Sequence, residues 1–212
     1  MDFETAFARC PLVAILRGLT PTEALAVGEA LVRAGLTLIE VPLDAPEALR
    51  SVATLAEIAG DRALVGAGTI TQARQLDAVV DAGGRLALSP HTDRAIITRA
   101  KALGLACLPG ALTPTEAITA LDAGADALTL FPAQASSPAA LAALLTVLPT
   151  DARVLPVGGV TPDAMGRWWA AGARGFGLGG TLYRPGRPAK AVAERARACV
   201  AAMTEPIDGS EG

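Results

Sequence analysis

Glu40 is the residue whose type and setting most call for chemistry. It lies in Leu38-Ile39-Glu40-Val41-Pro42, a run otherwise apolar. A carboxylate carried into a core is costly unless it finds a partner or a task. Either it makes a structural ion pair with Arg17, at the end of the preceding apolar run, or it works as a general acid/base. Thr129 stands in Ala127-Leu128-Thr129-Leu130-Phe131-Pro132, where Pro132 stops a strand. It either fills an inner layer as a β-branched side chain or faces a site. Gly158-Gly159 and Gly179-Gly180 each follow an apolar run. Backbone N–H groups in such turns close on an anion, and a following helix N-terminus adds its dipole, so phosphate is expected there; two tight turns are the plain alternative. Thr69 and Pro90 also end apolar runs. His91, the single histidine, sits in a loop and is left out of the chemistry.

These residues need elements to bring them together. Apolar runs predict strands over 12–16, 36–41, 63–67, 86–89, 105–108, 127–131, 154–157 and 175–178. Between them lie helices that start at capping signals such as Thr20-Pro21, Thr113-Pro114 and Thr161-Pro162 and stop at glycine. The helix after the third strand is expected from Thr71 to Ala82, and the last from 188 to 203. Eight strand–helix units with one recurring punctuation predict a parallel sheet closed into a (β/α)8 TIM barrel. One domain is expected over 1–203, followed by a loose polar tail over 204–212. An open doubly wound sheet would want a glycine fingerprint after the first strand, and Arg17-Gly18-Leu19-Thr20 is not one. In a barrel, the strand C-termini meet at one mouth. Arg17, Glu40, Thr69, Pro90, Thr129 and both glycine pairs then share it.

Hydrophobic residues make up 51% of the 212, and aromatics 3%, so the core must be built from Ala, Leu and Val. A net charge of −3 argues against a general nucleic-acid or anionic-membrane surface, while leaving room for a local anion site. The apolar stretch 139–148 is too short to span a bilayer. Met1-Asp2-Phe3-Glu4 has acid where a signal peptide has base. Cys10, Cys107 and Cys199 are far apart with no CxxC spacing, so no metal site is expected. They read as buried reduced thiols of a cytoplasmic protein.

Val13-Ala14-Ile15-Leu16-Arg17-Gly18, Glu40-Val41-Pro42-Leu43, Gly66-Ala67-Gly68-Thr69, Leu108-Pro109-Gly110, Leu130-Phe131-Pro132, Pro156-Val157-Gly158-Gly159-Val160 and Gly177-Leu178-Gly179 resemble the KDPG/KDPGal aldolases, in order, from about residue 8 to 203. The Glu-Val-Pro-Leu form is more similar to the 6-phosphogalactonate branch than to the 6-phosphogluconate branch. The resemblance implies a class I aldolase that cleaves a 2-keto-3-deoxy-6-phospho sugar acid to pyruvate and glyceraldehyde 3-phosphate without a cofactor. A strand-six lysine would form an imine that serves as electron sink. Glu40 would shuttle protons. Arg17 and Thr69, with Pro90, would meet the substrate's carboxylate side, and Gly158, Gly159, Gly179 and Gly180 would meet its phosphate. Relatives are commonly homotrimers.

The departure falls on the decisive position. Where the family has its lysine, just before the apolar-Phe-Pro ending, this chain has Thr129, and threonine forms no imine. Lys101 and Lys190 are the only lysines, and both are expected on helices facing away from the mouth. Gly180 stands where many relatives carry serine. Three readings follow: a KDPGal-type aldolase silenced at 129, with KDPG/4-hydroxy-2-oxoglutarate aldolase as the sister assignment; a non-catalytic phosphosugar binder or trimeric scaffold; or a different enzyme pairing Glu40 with a divalent metal. The last has only Asp44 as a further acid near the mouth, a poor donor set for such ions.

Overall fold

The computed structural model describes residues 1–204; of the expected tail only Thr204 falls inside them, ending the last helix. Eight strands run parallel: β1 (Leu12–Ile15), β2 (Leu38–Pro42), β3 (Leu64–Gly68), β4 (Leu86–Ser89), β5 (Ala106–Ala111), β6 (Leu128–Leu130), β7 (Val154–Pro156) and β8 (Phe176–Leu178). Each pairs with its sequence neighbour, and β8 returns to β1. Between β7 and β8 the pairing is a single parallel bridge, Val157 to Gly177, with the Arg174 N–H also donating to the Val154 carbonyl at 3.0 Å. The helices are α1 (Phe3–Arg9), α2 (Pro21–Arg33), α3 (Ala48–Ala59), α4 (Gln75–Asp81), α5 (Arg94–Ala102), α6 (Pro114–Asp122), α7 (Pro138–Leu145), α8 (Pro162–Ala170) and α9 (Ala189–Thr204). This is the (β/α)8 barrel that the repeating punctuation implied. None of the described helices is long and apolar enough to cross a membrane.

Strand alternation divides the core in two. Leu12, Ala14, Ile39, Val65, Ala67, Cys107, Leu128 and Phe176 face outward to the helices. Val13, Ile15, Leu38, Leu64, Leu86, Leu88, Leu108 and Leu155 fill the barrel. With a period of two, Glu40 follows Leu38 inward, and Thr129 follows Ala127 inward. The core parity therefore aims both polar side chains up the barrel axis.

The helix starts follow their caps where Thr-Pro occurs. Thr20 and Thr113 form capping boxes with Glu23 and Glu116, and Pro21, Pro114 and Pro162 occupy first-turn positions. The helix expected from Thr71 begins only at Gln75. The Gln75 side-chain oxygen accepts the Thr71 and Gln72 N–H groups at 2.9 and 3.0 Å, so the turn is held from downstream rather than capped by Thr71. Helix α1 was not foreseen. Asp2 caps it, Phe3 and Ala6 enter the inner core, and Arg153 grips Glu4 through two contacts of 2.7 Å while lying over the Phe3 and Phe7 rings. It closes the barrel at the strand N-termini and leaves the opposite end as the mouth.

Candidate active site

Arg17, Glu40, Thr69, Pro90 and Thr129 meet in one small pocket at that mouth, walled by Ile15, Leu88, Phe131 and Val157. All five come from ends of different strands, as the barrel mouth requires. Thr69 holds a φ of 54°, a conformation costly for a β-branched residue. Thr129 is 4% exposed on a three-residue strand.

The ion pair between Glu40 and Arg17 is not made. Glu40 is 3% exposed, and its Oε2 has no hydrogen-bond partner among the described residues. Arg17 instead donates to Asp44 at 2.8 Å, both side chains being more than half exposed. Ile15 is level with Glu40, so Arg17 stands two residues nearer the mouth. There it pairs in water rather than losing its hydration at Glu40's depth. Burial pushes the Glu40 carboxyl up to about 8; the Arg17 charge works against this and the Asp44 charge with it. The buried carboxyl therefore holds its proton to far higher pH than an ordinary glutamate.

Gly68 makes room for that carboxyl. A Cβ at 68 would lie 2.2–2.6 Å from the Glu40 carboxylate atoms. Gly68→Ala is expected to cost about 1–3 kcal/mol, the range for overpacking a filled interior, read as a lower urea midpoint at unchanged slope.

A second, wider pocket continues from the first across Ile15, Arg17, Phe131 and Val157 and holds Gly158, Gly159, Gly179 and Gly180 together. Gly158 and Gly159 have φ of 116° and 69°, which side-chain-bearing residues rarely adopt. Thr161, the N-cap of α8, also lines it. The Thr181 hydroxyl donates to the Val160 carbonyl at 2.7 Å, tying the two glycine turns together. Three lining residues were not anticipated: Gln134, Thr181 and Arg184. Gln134 follows Pro132 closely, but no sequence pattern marks it.

Neither lysine lines either pocket. Lys101, on α5, donates to both Asp126 oxygens at 2.7 and 2.6 Å, and Lys190 lies on α9. His91 enters through its backbone, whose carbonyl accepts the Ser89 hydroxyl at 2.7 Å. Among the described residues, no three acids, histidines or cysteines gather as metal ligands.

The barrel mouth thus carries a buried acid at its floor and paired glycine turns at its rim. The model of the KDPG and KHG aldolases matches residues 3–192. The 2-dehydro-3-deoxy-6-phosphogalactonate aldolase of Escherichia coli K12 is 44% identical over 94% of this chain and 97% of its own. The solved native KDPGal structure superposes with a TM-score of 0.90 at 44% identity, over 92% of this chain and 95% of that one. A cube-shaped cage designed by fusing symmetric oligomeric domains matches at a TM-score of 0.89 and 44% identity, over 92% of this chain and 72% of that one. The chain belongs to the KDPG and KHG aldolase family.

Proposed function

We propose that this chain carries a KDPGal-type aldolase site held at the binding stage by Thr129. The parent reaction is the reversible cleavage of 2-dehydro-3-deoxy-6-phosphogalactonate to pyruvate and glyceraldehyde 3-phosphate. The observation that carries the reading is Thr129 itself, buried in the pocket with Arg17, Glu40, Thr69 and Pro90 while both lysines stand elsewhere. In this reading Arg17 and Thr69 hold the keto-acid carboxylate and Pro90 packs beside it. Glu40 holds and returns the proton exchanged during C3–C4 cleavage. Gly158, Gly159, Gly179 and Gly180 receive the phosphate. No cofactor is required. With threonine at 129 the carbonyl carbon meets no amine, and the electrons of the breaking bond have no iminium to enter.

Two wider assignments belong to the same proposal. The three described cysteines are free and buried, which fits the reducing cytoplasm. The match to a cage built from symmetric oligomeric domains supports self-association, for which a homotrimer is the proposed form.

Calorimetric titration with the phosphorylated keto acid and its unphosphorylated counterpart, beside a pyruvate-release assay on both C4 epimers with and without divalent metal, tests the reading. Tight binding of the phosphorylated acid with little pyruvate release is expected. Equal affinity for both acids would remove the phosphate end, and metal-dependent turnover would point to a different enzyme built on Glu40.

A further inference from the structure

We propose that Arg184 is the specificity residue of the phosphate end, filling with a guanidinium the side-chain role that Gly180 leaves empty. The proposal rests on the aldolase-type reading and deepens it. Arg184 lines the rim pocket beside both glycine turns. A Cβ built on Gly180 would lie 3.5 Å from the Arg184 Nε and 3.8 Å from its Nη2, so the guanidinium stands over the bare glycine at van der Waals distance.

The neighbouring arginines are committed, and among the described residues Arg184 is not. Arg17 pairs with Asp44. Arg187 donates to the carbonyls of Gly180, Thr181 and Leu182 at 3.3, 3.3 and 2.8 Å, and Arg195 donates to that of Thr181 at 3.1 Å. Among the described residues no acid forms an ion pair with Arg184, Arg187 or Arg195. The turn after β8 thus gathers three arginines, with the Glu23 carboxylate held at its far end by the Gly186 N–H at 3.0 Å rather than by any of them. Arg187 also sets the turn's orientation. In a planar trans peptide the N–H points opposite to the C=O, so drawing the Gly180 carbonyl toward Arg187 aims the Thr181 N–H the other way.

The facing wall comes from Gln134, which reaches across the first glycine turn. Its side-chain oxygen lies 2.0 Å from where a Cβ on Gly158 would stand. Glycine turns, a forked cation on one side and a carboxamide on the other suit a phosphate monoester. Its three terminal oxygens can take two parallel N–H donors from one guanidinium and further donors from the turns. A carboxylate, with two oxygens in one plane and less charge, would use less of this arrangement.

The test is calorimetry of glycerol 3-phosphate and, separately, pyruvate on the full chain, its Arg184→Gln variant and its Arg184→Lys variant, from pH 5 to 7.5. Arg184 is exposed and makes no ion pair among the described residues, so equal thermal midpoints are expected for all three. Arg184→Gln should weaken glycerol 3-phosphate roughly ten- to a hundredfold, the loss expected for hydrogen bonds to a charged group, and leave pyruvate unchanged. The unmodified chain should gain affinity as the phosphate becomes a dianion near pH 6, and Arg184→Gln should lose most of that gain. Arg184→Lys should fall between them, keeping the charge without the fork. Equal glycerol 3-phosphate affinity with and without the guanidinium would show a solvated surface arginine and overturn the proposal. No phosphate binding by the unmodified chain would overturn it together with the phosphate end of the aldolase reading. A failed restoration of lyase chemistry at position 129, with the Arg184 effect intact, would sink that reading alone.

Discussion

Thr129→Lys is expected to convert a binding site into one that traps pyruvate covalently and turns over phosphorylated keto acid. Loss of a covalent nucleophile costs on the order of a millionfold in a well-studied protease, or roughly 8 kcal/mol of barrier. A gain of similar order is expected here, because an uncharged hydroxyl at 129 supplies no electron sink. Position 129 points into the barrel below an open mouth, among Ile15, Leu88, Phe131 and Val157, so a lysine can extend toward the opening. Desolvation by those walls lowers an amine's pKa toward neutrality and leaves it free to attack a carbonyl. The measurement is borohydride trapping with pyruvate, read by intact mass, beside pyruvate release. An adduct on the unmodified chain would place the chemistry elsewhere. A folded Thr129→Lys chain giving neither signal would mean that more than one catalytic part is missing.

Glu40→Gln should reshape the pH dependence of stability. The Glu40 carboxyl titrates near 8 in the fold against an ordinary value of 4.5. Between those values the unfolded chain has released this proton and the native chain still holds it. The native state binds more protons, so stability falls as pH rises through the window. The contribution is complete below about 4.5 and lost by about 8. At 1.36 kcal/mol per pH unit it amounts to at most roughly 5 kcal/mol. Glutamine fills nearly the same space and does not titrate. Urea midpoints at pH 5, 6.5 and 8 should therefore decline more for the unmodified chain than for Glu40→Gln. Parallel profiles would show that Glu40 is ionised, and so hydrated or paired, at neutral pH.

Much of the barrel was legible because its punctuation is chemical. Thr20-Pro21, Thr113-Pro114 and Thr161-Pro162 start helices where a cap and a fixed φ coincide, and those starts hold. Thr71 lacks a following proline, and the Gln75 side chain instead folds back to accept the Thr71 and Gln72 N–H groups, delaying the helix to Gln75. Helix α1 was missed because its seven residues are too few for a periodic signal, and its apolar face has meaning only against the barrel floor. Strand order made Arg17 and Glu40 neighbours but said nothing of depth. Depth decides that Arg17 goes to hydrated Asp44 and Glu40 keeps its proton. Gln134 sits in a single 3-10 turn, Ala133–Ala135, and Arg184 on a loop, both too short for a periodicity that would tie a residue to a site.

The seam between β7 and β8 has a consequence for how occupancy and rigidity are linked. One ladder bridge, Val157 to Gly177, joins the strands there, with the Arg174 N–H donating to the Val154 carbonyl at 3.0 Å at the seam's lower end and the Thr181 to Val160 contact just above the bridge. The turns holding Gly158-Gly159 and Gly179-Gly180 rise from opposite sides of this gap. A ligand gripping both turns acts as a fastener across the loosest joint of a hoop. It suppresses the local opening that a one-bridge joint allows and returns part of its binding free energy as resistance to unfolding. A filled ring is therefore expected to open at this joint less readily than an empty one.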